Sequence, residues 1–299
     1  AGRMVVANGA LVDSRTTGRG RRARTTWRWR ETRPIPPYLM VIGAGPLLRI
    51  DLGDTACGLG DGDSRRCVRQ SVYVAPDLRG TMPGNFAKAG EIVRYFATLV
   101  GPFPYEKLAH VQSATRFGGM ENATAIFYSD AAFRSPNGVS EGLIAHETAH
   151  QWFGDAVTER DWPHLWLSEG FATYFAALWT QKSRGDGEFR QAMSDIRDII
   201  LNDTGAVVAR PVIDTIETRL INLLNRNSYQ KGGFVLHMLR SQLGDSAFFR
   251  GVRDYYNKHK HSTALTPDLQ AALEKSSGRK LQPFFDQWLR PPGFPELEV

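Results

Sequence analysis

Two histidines with a glutamate between them, His146-Glu147-Thr148-Ala149-His150, are the residues of this chain most plainly suited to chemistry. On a helix, positions i and i+4 point the same way, so His146 and His150 can offer two imidazole nitrogens to one metal while Glu147 faces the same space. A third ligand has to come from elsewhere. Glu169 lies nineteen residues beyond His150 and opens a second predicted helix, Ser168 to Arg184, with Ser168 as its N-cap and Gly185 as its stop. Two histidines and one carboxylate form the donor set of a zinc site that keeps its fourth position for water, and such a site supports metal-assisted hydrolysis.

A bare H-E-x-x-H can arise by chance, so the elements around it must decide. Ser140 is placed as an N-cap, Leu143, Ile144 and Trp152 supply the apolar positions of a helix, and Gly154 stands where a C-terminal glycine belongs. That frame favours a ligand-bearing helix over two core histidines beside a solvated glutamate.

The stretch from His146 to Phe175 then resembles the core of the gluzincin zinc aminopeptidases, the family of aminopeptidase N and the leukotriene hydrolases, whose pattern is HExxH-x18-E. Gly118-Gly119-Met120-Glu121-Asn122 is similar to the family's G-x-M-E-N motif, and Ser228-Tyr229-Gln230-Lys231-Gly232-Gly233 to the segment with its catalytic tyrosine. Phe285 to Trp288 and Gly293 to Leu297 resemble the end of its catalytic domain. Ser168 departs from the pattern, since asparagine often precedes the third ligand. His164 could orient a ligand or pack, and a lone histidine more often packs.

The resemblance implies a zinc metallo-aminopeptidase with one Zn2+ per chain on His146, His150 and Glu169, Glu147 as general base and Tyr229 as donor to the oxyanion. It makes residues 118–122 the substrate-binding segment, with Glu121 on the free α-amine of a peptide. The glycine pair suits an edge where an extended peptide can add as a strand. The implied fold is α+β: a thermolysin-like catalytic domain over residues 39–290, a small mixed sheet plus a helical lobe with zinc in the cleft between them. Residues 1–38 would be the end of a β-rich N-terminal domain and 291–299 a C-terminal extension or linker. Two rivals remain: endopeptidase or epoxide hydrolase action on the same zinc, and a zinc-bearing peptide-binding protein without catalysis. The presence of both Glu147 and Tyr229 argues against the second.

The remaining sequence places these motifs. Met4 to Ala7 and Ala10 to Val12 flank Asn8-Gly9 and predict a hairpin, and Thr26 to Arg30 alternates with period two like a half-buried strand. Further strands are predicted at 39–42, 47–52, 68–75, 108–114 and 124–128, and an amphipathic helix over 85–100 through Ile92, Phe96 and Leu99. From Ser140 onward the pattern is almost all helical, including a helix begun by Thr266 as N-cap and Pro267 as N1.

With 299 residues and 42% hydrophobic content, one or two domains with an ample core are expected. There is no run of eighteen apolar residues, hence no predicted membrane span. The first residue is Ala1 and no signal peptide is visible, so the chain reads as a part of something longer, expected to work beside a separate β-rich N-terminal segment. The net charge of +6 owes much to arginines between positions 15 and 33. Their interleaving with tryptophans fits a solvated or interdomain face better than a nucleic-acid arm. Cys57 and Cys67 bracket a Gly/Asp-rich loop as either a hairpin disulfide or two free thiols; the disulfide would place the protein outside the cytoplasm and free thiols within it. Asp54, Asp61 and Asp63 lack EF-hand spacing and are read as solvated loop.

Overall fold

A computed structural model describes residues 3–58 and 67–295. Asp61, Asp63 and the Glu296-Leu297 end of the family-like segment lie outside the described residues. The chain divides into two compact units, residues 1–97 with 102–151, and residues 98–101 with 152–299.

The first unit is built on a four-stranded sheet of order β5-β6-β7-β8, with β5 Leu48–Thr55, β6 Val68–Val74, β7 Lys107–Ser113 and β8 Ala125–Ser129. The β5–β6 pair is antiparallel and the other two are parallel. β7 and β8 carry nearly continuous runs of buried residues, as strands covered on both faces must. Helix α1, Ala89–Val100, contributes buried Ile92 and Phe96. It begins later than the periodicity suggests, because Asn85 ends a separate short helix, Met82–Asn85, and its side chain accepts from Val139 N at 3.0 Å.

Before this sheet come β1 Met4–Ala7, β2 Ala10–Thr17, β3 Arg24–Arg30 and β4 Ile42–Gly45. The expected hairpin across Asn8-Gly9 does not form: β1 pairs with β4, and β2 pairs with β3. Gly9 adopts φ +73°, but the Asn8 side chain is drawn away to Leu39 O, Ala123 O and Val41 N, so the turn separates two ribbons. The alternation in β3 holds, with Trp27 and Trp29 half-buried between exposed neighbours. The strand expected at 39–42 is a 3-10 turn, Pro37–Leu39, followed by β4, since Pro37 at the first helical position favours a turn. Val6 joins Tyr73, Ala109, Val111, Ala125 and Phe127 in one buried cluster. Cys57 and Cys67 form a disulfide across the β5–β6 connection, deciding between the two alternatives.

The second unit is mainly helical: α3 Trp166–Arg184, α4 Asp186–Leu201, α5 Gly232–Leu243, α6 Asp245–His259, α7 Thr266–Ser277 and α8 Gln282–Leu289. A parallel pair interrupts the helices, β9 Val157–Glu159 with β10 Ser262–Ala264. Phe153, Phe171 and Tyr255 stack in its core, their ring centroids 4.1 to 6.5 Å apart. Two predicted caps move. α3 starts two residues before Ser168, whose hydroxyl lies 3.5 Å from Phe153 O, and α7 is capped by Leu265, with Pro267 at its second position. Gly185 does end α3, at φ +93°.

Candidate active site

Helix α2, Glu141–His150, is launched by Ser140, whose hydroxyl accepts from Leu143 N at 3.2 Å, while Glu141 complements the positive end of the helix. The helix closes at Gln151, three residues before Gly154. One turn separates His146 and His150, and their Nε2 atoms converge to 3.1 Å. Nitrogens held at 2.0–2.1 Å by a tetrahedral zinc stand ~3.3 Å apart, so the pair is set close to the spacing such an ion demands. His150 is buried and His146 half-buried.

Glu147, on the same helix, is 5% exposed. Its carboxylate meets the backbone of Gly119: a Cβ built there would collide with Glu147 Oε1 and Cδ and lie 2.7 Å from Cγ. The segment around Gly119 is not a regular strand, but it is hydrogen-bonded along β8. Met120 N donates to Phe127 O at 2.8 Å, Phe127 N to Met120 O at 3.0 Å, and Ser129 N to Gly118 O at 3.0 Å. Residues 118 and 120 thus bond to β8, and by antiparallel alternation the amide and carbonyl of Gly119 point the other way. Glu121 follows, half-buried, and Asn122 is buried with its amide 3.4 Å from Leu39 O.

Behind Glu147, Tyr128 is fully buried, and burial first, then the Glu147 charge, raises its hydroxyl well above the usual tyrosine range. The hydroxyl lies 3.1 Å from His110 Nδ1, and His110 Nε2 lies 3.4 Å from Gln70 Oε1. Burial pushes His110 down to about 3, so this imidazole is neutral.

In the second unit, Glu169 sits in the first turn of α3 and is buried. Its Oε1 accepts from the Tyr229 hydroxyl at 2.7 Å. Tyr229 lies on a π-turn, Asn227–Lys231, which runs directly into α5. Backbone contact sets this approach: a Cβ on Gly170 would lie 2.8 Å from the carbonyl carbon of Gly232 and 3.2 Å from Gly233 N. The glycines let α3 and α5 touch main chain to main chain, which brings the tyrosine within reach of the glutamate.

His146 and His150 on α2 and Glu169 on α3 offer two imidazoles and one carboxylate, the donor set that fits one zinc ion and leaves a coordination position for water. His164, by contrast, is occupied elsewhere: Nδ1 accepts from Thr266 N at 3.2 Å and lies 2.8 Å from Thr266 Oγ1, Trp166 Nε1 donates to that same Oγ1 at 2.9 Å, and burial lowers the His164 pKa. That is the packing alternative.

Sequence reasoning did not single out Gln151, Thr124 or the Gln70-His110-Tyr128 chain. Gln151 follows His150 directly and is fully buried, a position that offered a signal. Thr124 offered none, because a β-branched residue is the last expected at its φ of +66°.

Comparison with known proteins agrees with this geometry. The family model described as "Peptidase family M1 domain" matches residues 86–288. The chain belongs to peptidase family M1. Glutamyl aminopeptidase of Bos taurus is 32% identical over 255 residues, 79% of this chain and 26% of that protein. Probable aminopeptidase 1 of Sulfurisphaera tokodaii is 28% identical over the whole chain and 38% of its own length. The chain therefore spans about a quarter to two fifths of these M1 relatives. The crystal structure of the M1 zinc metallopeptidase from Deinococcus radiodurans superposes with a TM-score of 0.80 at 26% identity, over all of this chain and 63% of that one.

Proposed function

We propose that this M1 chain is the catalytic part of a zinc aminopeptidase that hydrolyses the first peptide bond of peptides with a free N-terminus. The observation that carries the reading is the seat of Gly119 on Glu147, which sets an edge able to pair with an extended peptide directly against a buried carboxylate next to a zinc ligand. His146, His150 and Glu169 would hold the zinc ion, which would supply Lewis acidity to a water and to the scissile carbonyl.

In this reading the chain's own groups do the rest. Gly119 pairs with the substrate main chain, and Glu121 binds its α-ammonium, so that the first peptide bond is the one presented. Gly118, Met120 and Asn122 complete that segment. Glu147 accepts the proton of the attacking water and passes it towards the departing amine. The Tyr229 hydroxyl donates to the oxygen that becomes negative as the carbonyl turns tetrahedral, a contact worth about 3 kcal/mol in comparable sites.

The domain reading is part of the same proposal: residues 1–38 as the end of an N-terminal β domain, 39–290 as a thermolysin-like catalytic domain, and 291–299 as an extension or linker. A separate β-rich segment of the same protein is proposed as partner. Every residue of β2 is exposed, and a two-stranded ribbon is marginal in water without a neighbour. The Cys57–Cys67 disulfide supports an oxidising, extracytoplasmic compartment. Among the described residues no helix is long and apolar enough to cross a membrane. The test is Glu147→Gln, which should keep one zinc per chain and lower kcat by about 10³-fold or more; a variant as active as the parent would remove Glu147 from the reaction.

A further inference from the structure

Thr124 holds a left-handed backbone, φ +66°, in a fully buried position. A β-branched residue stays there only when its surroundings dictate it. Four contacts do so. Its N–H donates to Gln151 Oε1 at 2.8 Å, its carbonyl accepts from Ala109 N and Lys107 Nζ, both at 2.9 Å, and its hydroxyl accepts from Gly9 N at 2.7 Å. The same Gln151 donates from Nε2 to Glu121 O at 3.1 Å. Between these two fixed points, Ala123 O accepts from Asn8 Nδ2 at 2.6 Å.

Asn8 is equally committed. Its amide also donates to Leu39 O at 3.0 Å, and its Oδ1 accepts from Val41 N at 2.7 Å. Leu39 O is shared with Asn122 Nδ2. Lys107 closes the ring by donating to Ala7 O at 3.1 Å as well as to Thr124 O. Gly9 has no room for a Cβ, which would collide with Arg30 O. A turn near the start of the chain is thus laced to the residues directly after Glu121, more than a hundred positions away in sequence.

We infer that Asn8 and Thr124 are positioning residues for amine recognition: the Ala7–Gly9 turn and the left-handed Thr124 together fix where the Glu121 backbone ends and so where its carboxylate stands. Neither residue is assigned contact with substrate. The inference rests on the proposed role of Glu121, and it adds that the first β segment is a working part of the site rather than a cover.

The test compares two ligands on the zinc-loaded full chain and two variants, Asn8→Ala and Thr124→Gly. One is an aminoacyl fluorogenic amide with a free amine. The other is acetohydroxamic acid, which binds metal and has no amine. Asn8→Ala should raise KM for the amide about tenfold with a smaller change in kcat, as expected for a group held less well rather than lost. The inhibition constant of acetohydroxamic acid should stay within about twofold, and zinc content should be unchanged. Glycine accepts φ +66° without strain, so Thr124→Gly should fold and show the same selective loss. Unchanged KM in both variants, or equal weakening of the amide and the hydroxamate, would overturn the inference. If the unaltered protein cleaves N-acetylated and free peptides alike, the aminopeptidase reading falls first, and that outcome is read without either variant.

Discussion

Gly119 leaves no space for a side chain between its backbone and the Glu147 carboxylate. A motif glycine and the proposed base of a different motif, 28 positions apart in the chain, are therefore a single packing unit. Gly119→Ala must push one of them aside. Because a misplacement of about 1 Å can cost ~10²-fold in rate, kcat/KM of this variant should fall by about that factor while zinc content holds. Undiminished activity with alanine at 119 would show that the close approach has no bearing on catalysis.

The Tyr229 hydroxyl donates to Glu169 Oε1 at 2.7 Å, and in the proposed reaction it turns to the developing oxyanion. Tyr229→Phe should lower kcat and kcat/KM together by about 10²–10³-fold with little change in KM. Assays at saturating zinc separate this loss from any weakening of the metal, since the same hydroxyl bonds Glu169, the proposed third ligand. A defect lying wholly in KM would contradict an oxyanion role.

How much of this could be read from the sequence follows from where the determinants lie. The HETAH helix and its Ser140 cap were legible because each depends on spacing within a turn or two of helix, and Glu169 was picked out by its fixed distance in the HExxH-x18-E pattern. The strands β6, β7 and β8 were legible from apolar runs. The pairing of β1 was not. An Asn-Gly between apolar runs signals a hairpin locally, but here the Asn8 side chain answers to Leu39, Val41 and Ala123, and contacts at that range leave no local trace. The Ser168 and Thr266 caps failed for a related reason: each residue looks like a cap, yet Ser168 lies inside the first turn of α3, and the Thr266 hydroxyl serves Trp166 and His164. Gly170 gave no hint of its partner Gly232, since close backbone approach is decided by two helices at once.

His110 offers a pH test of stability. Its imidazole is pushed by burial from 6.5 to about 3. As pH falls below 6.5 the unfolded chain takes up a proton that the folded chain refuses until about 3. The stability tied to neutral His110 is present in full above pH 6.5 and is lost progressively between 6.5 and about 3. In His110→Gln, Tm measured across that window should fall less steeply than in the parent. Parallel slopes would show that His110 already titrates normally in the folded protein.

The Cys57–Cys67 disulfide closes a loop with a sequence separation of 10. Loop-closure entropy for that length gives about 2–3 kcal/mol, so reduction should lower Tm by several degrees. Because the two cysteines lie outside the proposed machinery, activity well below the new Tm should be retained. A Tm that ignores reductant would mean the bond contributes nothing to the fold.

The most direct measurement is the rate of first-bond hydrolysis of one short peptide with its amino terminus free and with the same terminus acetylated, using chain that carries one zinc. Recognition of the α-ammonium by Glu121 predicts that acetylation lowers kcat/KM by about 10²-fold or more, because the half-buried carboxylate loses the cation it is proposed to bind. Equal rates for the free and the acetylated peptide would contradict the aminopeptidase assignment outright.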